Sequence, residues 1–358
     1  MPRKSKKTAD YPCGKCKSEC VCNSILCGEC GLWYHTKCEM LSSDQTKLLG
    51  ANPFDYICLS CCMNDNGDYD TPAALNRMYK SMQGNEKNFR SAAIREQIQS
   101  RSLPNISNQK FEACGLVTDS VSMELLQRID GKNYRRPVYV SGDGNCLYSA
   151  TSIAISGSPK HSAQLKLQTA IELCLNGVHY KNKQKVKGFG NISSTYAEAC
   201  LEAAKDGAYS GTWQMQALAS VIGRPIISVY PPFNGLLDLP ARALNTTIEP
   251  KNTVSQEPIY IMWTSTTASP SRDSKWHPNH FVPLIDESQD IVTLDPSISP
   301  VERPELSRGK GRKLRGPHCS TPLKSHAKIA VQVEDCANDS LPLQDVDLNL
   351  NDSQELPR

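Results

Sequence analysis

The sequence predicts two folded parts between disordered ends: a small zinc-held finger, then an α/β domain built around one activated cysteine. Three observations predict it. Ten of the sixteen cysteines lie in residues 11 to 62, most of them in pairs with two residues between. The stretch Ser141-Gly142-Asp143-Gly144-Asn145-Cys146 follows a β-type run, Val138-Tyr139-Val140, and precedes an apolar segment of helical character, Leu147 to Ile155. Around it, stripes at helical spacing alternate with short β-branched runs, the pattern of an α/β domain.

Bulk properties exclude several classes. The chain has 358 residues, 22% of them charged, and a net charge of +3, so no global field selects a partner. No apolar run approaches the roughly 20 residues that span a bilayer. No apolar segment follows Met1-Pro2-Arg3-Lys4, so neither a membrane partner nor secretion is expected. Cysteines in such a chain serve metal ligation and thiol chemistry instead of disulfides.

Residues 1 to 10 read as a disordered basic tail. Arg3, Lys4, Lys6 and Lys7 are either a nuclear localisation signal or a solvated charge run. From residue 11 the spacing is Cys13-x2-Cys16, Cys27-x2-Cys30, His35-x2-Cys38 and Cys58-x2-Cys61. Each knuckle puts two donors on one tight turn, and two knuckles complete one tetrahedral zinc site. The order of four cysteines, one histidine and three cysteines resembles a PHD finger. That resemblance implies a cross-brace, with Cys13, Cys16, His35 and Cys38 on one zinc ion and Cys27, Cys30, Cys58 and Cys61 on the other. Tyr56 stands where the family usually has Trp. Cys20, Cys22 and Cys62 are alternative ligands, but only the first assignment keeps every knuckle at x2. About fifty residues bury too little apolar surface to fold alone, so zinc supplies the stability. The resemblance also implies a histone H3 tail as partner. Trp33 and Tyr11 are then cage walls for a methyl-lysine; otherwise Trp33 packs on the zinc core and Tyr11 is simply exposed.

Residues 64 to 121 are expected to be a linker with short helices. Thr71 is the expected cap of one, before Ala73, Ala74, Leu75 and Met78, and Phe89 to Ile98 is a second. The globular pattern starts at Ser122, with a helix expected to end near Gly131. Ala163, Leu167, Ala170, Ile171 and Cys174 form an amphipathic stripe, which places Cys174 in the core, as Ala197, Ala203 and Ala204 place Cys200. Lys181, Lys183, Lys185 and Lys187 read as a polar loop. Met215, Leu218, Ala219 and Ile222 form another stripe, stopped by Gly223. Strands are expected at Pro225 to Tyr230, Pro258 to Trp263, His280 to Ile285 and Ile291 to Leu294, with Trp213 in the core. Residues 297 to 358 read as a disordered tail. It holds a basic cluster (Arg308, Lys310, Arg312, Lys313, Arg315) and an acidic, leucine-spaced end. Nucleic-acid binding is expected, if anywhere, through these basic tails.

A cysteine at a helix N-terminus meets unpaired N–H groups and the positive end of the macrodipole, both of which favour thiolate. Gly142 and Gly144 let the turn bring N–H groups close to a bound carbonyl. Far downstream stands Trp276-His277-Pro278-Asn279-His280-Phe281-Val282-Pro283-Leu284. Asp143-Gly144-Asn145-Cys146-Leu147-Tyr148-Ser149-Ala150, followed by Asn279-His280-Phe281-Val282-Pro283-Leu284, resembles the ovarian-tumour (OTU) cysteine proteases, most of which are deubiquitinases. The resemblance runs from about residue 134 to 286 and implies a papain-like α/β domain over 122–296 with no cofactor. The surrounding Arg135 to Val140 is similar to OTU-like domains of vertnin and of mobile-element proteins.

The resemblance implies that Cys146 attacks a carbonyl after a ubiquitin-type C-terminus, with His280 as base; His277 is the alternative base. N–H groups from Asp143, Gly144, Asn145 and Cys146 would hold the oxyanion, and Asp143 would organise the loop. Val282 stands where many members carry the Asn or Asp that orients the histidine. Asn279, Asp143 or Asp273 are the candidate replacements. Three functions follow: a deubiquitinase brought to chromatin in the nucleus, a weak or inactive binding module, or a protease that cuts its own linkers.

Overall fold

The computed structural model describes residues 11–106, 109–112, 115–127, 135–187, 193–231, 239–266 and 278–286. The basic and acidic tails, Ile291 to Leu294, Asp273 and His277 lie outside the described residues.

The finger has one antiparallel ladder, β1 (Ser24–Leu26) on β2 (Trp33–His35), and one helix, α1 (Ser43–Gly50). Ser42 and Gln45 close a capping box on α1. The core is thin: Ile25, Tyr34, Leu41, Leu49, Tyr56 and Ile57 gather around the buried cysteines. Tyr56, in the position of the expected Trp, is buried and donates to Glu39 Oε2 at 2.6 Å.

The segment after the finger is a built helical hairpin, not a free connector. α2 (Thr71–Met82) and α3 (Asn88–Gln99) pack on each other. Asp70, one residue before the expected cap, accepts the N–H of Ala73. Ala74, Leu75, Met78, Phe89, Ala92 and Ala93 bury one side of the hairpin in the α/β domain. Ile98, with Ile94 beside it, buries the other side in the finger core. Between the helices Glu96 is fully buried, 2.8 Å from Arg95 and 3.3 Å from Arg77. Removing one partner of such a buried pair costs about 3–5 kcal/mol, so the hairpin is held in one arrangement. Cys62 belongs to this network: it contacts Arg77 at 3.9 Å and Gln99 at 3.6 Å.

The α/β domain carries a five-stranded sheet in the order β3-β7-β6-β4-β5, with β3 Arg135–Pro137, β4 Ile226–Val229, β5 Thr246–Ile248, β6 Ile259–Thr264 and β7 His280–Asp286. Only the β4–β6 pair is parallel. The first strand sits three residues earlier than Val138 to Val140. Val138 still donates to Pro283 O of β7 at 3.0 Å, and Tyr139 N–H turns to Val117 O at 2.8 Å. α4 (Ser120–Leu126) precedes the sheet and begins two residues before the expected start.

α5 (Cys146–Ser156) lies against β7 and β6, buried along almost its whole length, so its apolar side has no stripe to read. α6 (Ser162–Leu175) and α9 (Thr212–Ile222) pack together, with α8 (Tyr196–Ala204) beside them and the hairpin outside. Cys174 and Cys200 are buried in this second cluster, as their stripes require, and so is Trp213. Gly223 ends α9 in the left-handed conformation, φ 62°. The expected lysine loop is instead α7 (Gly177–Lys187). Tyr180 and Gln184, one turn apart on its inner face, are buried, and Gln184 donates to Thr212 Oγ1 at 3.0 Å. The alternating lysines hid that i,i+4 pair. α10 (Leu239–Leu244) leads into β5.

Candidate active site and zinc-ligand groups

The two ligand sets of the finger form as the PHD-finger resemblance implies. Donor atoms of Cys13, Cys16, His35 and Cys38 lie within 4.8 Å of one another, and so do those of Cys27, Cys30, Cys58 and Cys61. The sets interleave along the chain, which makes a cross-brace. Their chemistry fits zinc: three thiolates and an imidazole, and four thiolates. The histidine is already oriented for ligation. His35 Nε2 meets Glu19 O at 3.1 Å, so Nε2 carries the proton and Nδ1, 3.4 Å from Cys16 Sγ, is the ligand atom. Cys20, Cys22 and Cys62 fall outside both sets.

In the α/β domain, Cys146 is the first residue of α5 and sits at 1% exposure against the start of β7. The N–H groups of Phe281 and Leu147 point at its sulfur. Burial outweighs them and pushes the thiol up to about 11. His280, the first residue of β7, is buried beside it in sequence with Phe281. Its Nε2 lies 3.1 Å from Val140 O, while Nδ1 is buried without a hydrogen-bond partner. The carbonyl can only accept, so Nε2 carries the proton and Nδ1 presents a bare lone pair. Burial lowers the His280 pKa; Asp119, the Val140 carbonyl and Asp143 pull the other way.

Among the described residues, the group on His280 Nε2 is therefore a main-chain carbonyl, and neither Asn279 nor Asp143 takes that place. Asn279 is committed elsewhere: its Oδ1 accepts Thr266 N–H at 3.0 Å and its Nδ2 reaches Thr266 Oγ1 at 3.4 Å. Asp143 Oδ1 accepts Asn145 N–H at 2.8 Å. Val282 is fully buried opposite Met262. Val140 can serve because Val138 N–H pairs with Pro283 O at 3.0 Å, which carries the chain on to His280.

The turn before Cys146 is as close-packed as the sequence suggested. Gly144 has φ +84°, and a Cβ there would lie 1.9 Å from Gly207 O. A side chain at 144 is thus excluded twice, by conformation and by contact. Asn145 N–H is spent on Asp143 and leaves the set of oxyanion donors; Asp143, Gly144 and Cys146 remain in it. Segment 205–211, which no motif singled out, crosses this turn and reaches the histidine strand, with Tyr209 stacked on Phe281 at 5.4 Å.

The family model described as "Vertnin, OTU domain" matches residues 137–190 and 181–264. Bovine (Bos taurus) vertnin is 24% identical over 214 residues, 53% of this chain and 31% of its own length. Human (Homo sapiens) vertnin is 25% identical over 209 residues, 52% of this chain and 29% of its own length. The matched stretch is a vertnin-like OTU domain. The family match takes in Cys146 and its turn and stops before His280. The chain spans under a third of the curated relatives it matches. Among solved structures, the OTU domain of OTUD1 is 19% identical with TM-score 0.26, over 46% of this chain and 99% of that one. The viral OTU domain protease from Dera Ghazi Khan virus is 12% identical with TM-score 0.28, over 43% of this chain and 82% of that one. Likenesses this slight carry no argument about this OTU domain.

Proposed function

We propose that the chain is a cysteine-type deubiquitinase, hydrolysing the bond after a ubiquitin-type C-terminus. One observation carries the reading: a helix-terminal thiol receives the N–H of Phe281, the neighbour in sequence of an imidazole whose Nε2 is held by Val140 O and whose Nδ1 is bare. In the reaction His280 Nδ1 takes the Cys146 proton, Sγ attacks the carbonyl carbon, and N–H groups of Asp143, Gly144 and Cys146 receive the oxyanion. The imidazolium then gives its proton to the leaving amine, and water, deprotonated by the same Nδ1, frees the acid and restores the thiol. Turnover of a ubiquitin C-terminal fluorogenic amide tests it. Wild type should release the fluorophore, and Cys146→Ala and His280→Ala should lose the activity by at least about a thousandfold.

A second reading has its own observation. The thiol stands near 11 and makes no hydrogen bond to His280, the resting state of a weak or inactive binding module. It predicts ubiquitin binding without turnover.

The finger is proposed to be a PHD-type reader that brings this activity to chromatin in the nucleus. Tyr11, 59% exposed, meets Trp33 edge-to-face at 6.2 Å, two walls of an aromatic cage. Titration with trimethylated H3 peptides should show binding lost in Trp33→Ala; equal affinity for the unmodified peptides would remove the cage reading.

A further inference from the structure

Lys166 lies on α6 at 1% exposure, yet it carries an ammonium group. Its Nζ donates to Asn145 Oδ1 at 2.8 Å and to Ala208 O at 3.3 Å. The same Asn145 oxygen accepts Gly207 N–H at 3.2 Å, and Asn145 Nδ2 donates to Asp206 Oδ1 at 3.0 Å. One amide thus ties together the turn before Cys146, helix α6 and the 205–211 segment. The arrangement is not ordinary helix capping. Asn145 is the N-cap of α5 and its side chain makes no cap hydrogen bond. A cap bond worth about 1 kcal/mol is given up for contacts that lead away from the helix.

Packing does not require the charge. Burial pulls Lys166 down to about 8 against the opposing pull of Asp206 and Asp143. A methionine of similar length would fill the space without removing an ammonium from water. What an apolar residue could not do is hold the Asn145 oxygen. That oxygen fixes the residue between Gly144 and Cys146, whose N–H groups face the reacting carbonyl.

We propose that Lys166 is a positioning residue for the Cys146 reaction: through Asn145 it locks the 143–146 turn to the 205–211 segment and so holds the oxyanion donors in place. The proposal rests on the protease reading above. A turn held loosely would still bind substrate and would lose rate, since small misplacements of donor groups cost about 10- to 100-fold.

The test uses the full chain with zinc, as wild type, Lys166→Met and Asp206→Ala. Asp206 is exposed, so its variant reads the same lock should Lys166→Met fail to fold. Two quantities are measured: kcat and KM on the ubiquitin amide, and amide hydrogen exchange over 141–147 and 205–208. The proposal expects Lys166→Met to lose about 10- to 100-fold in kcat with KM within about twofold. Exchange should rise in both segments, and Asp206→Ala should move the same way by less. Unchanged exchange overturns the lock. Faster exchange with wild-type kcat overturns its link to catalysis. A purely structural role would lower the melting temperature and leave kcat per titrated Cys146 unchanged, which also overturns it. A wild type without turnover sinks the protease reading first, and with it the catalytic role; exchange then still decides whether Lys166 holds the turn.

Discussion

Cys146 begins as a thiol and His280 as a neutral imidazole. Burial drives both to their uncharged forms, the thiol up to about 11 and the imidazole below its usual value. The pair is thus not a standing thiolate–imidazolium pair. The sign of the pH dependence follows. Thiolate is the reactive form, and its share falls as pH drops below the raised pKa. Alkylation of Cys146 by iodoacetamide, followed by mass spectrometry, should therefore keep accelerating from neutral pH toward about pH 11. A rate already level at neutral pH would mean a preformed ion pair and would contradict this account. At this scale the sequence was legible wherever a residue type carries the chemistry. The zinc-ligand positions were readable from their spacing, and Cys146 and His280 were singled out by the motifs that resemble OTU proteases. Val140 was not, because a main-chain acceptor has no residue type and its use depends on strand register 140 residues away. Lys166 did leave a signal: it falls on the same helical face as Ala163 and Ala170, where a charge needs a partner.

Among the elements, the α2–α3 hairpin departs most from its expectation. Its stripe was weak because Arg95, Glu96 and Gln99 occupy buried positions that usually hold apolar groups. Arg95 and Glu96 pair with each other and Gln99 Nε2 reaches Cys62, so these positions are held by polar contacts instead of apolar ones. The self-cleaving reading needed an accessible linker over 63–121. α2 and α3 instead lie between the finger and α6, and a protease could reach them only after local unfolding. The same contacts link zinc to the hairpin. Ile98 is part of the finger core, and Asn52 holds Ser91 O at 2.8 Å. Zinc-held modules of this size unfold when the metal is removed. Chelation should therefore lower the melting temperature and raise hydrogen exchange over 91–99 as well as in the finger. Exchange in α3 that ignores the chelator would show the hairpin to be independent of the finger.

For the whole molecule, the parts were legible and their assembly was not. Knuckles and most helices follow from local spacing, whereas the docking of finger on hairpin and hairpin on α/β domain rests on long-range contacts, mostly apolar. Two of the three buried clusters share the hairpin as common wall, the finger core on one side and the α6–α8 cluster on the other, while Cys146 lies in the third. No helix among the described residues is long and apolar enough to cross a membrane. The central claim is that Cys146, served by His280 with Val140 O behind it, is a working nucleophile toward a ubiquitin C-terminus. The most direct measurement is reaction of the zinc-loaded chain with ubiquitin carrying a C-terminal electrophile, with the modified residue mapped by mass spectrometry. The account predicts one adduct, on Cys146, absent in Cys146→Ala and strongly slowed in His280→Ala. No adduct on a folded chain, or an adduct on another cysteine, would contradict it.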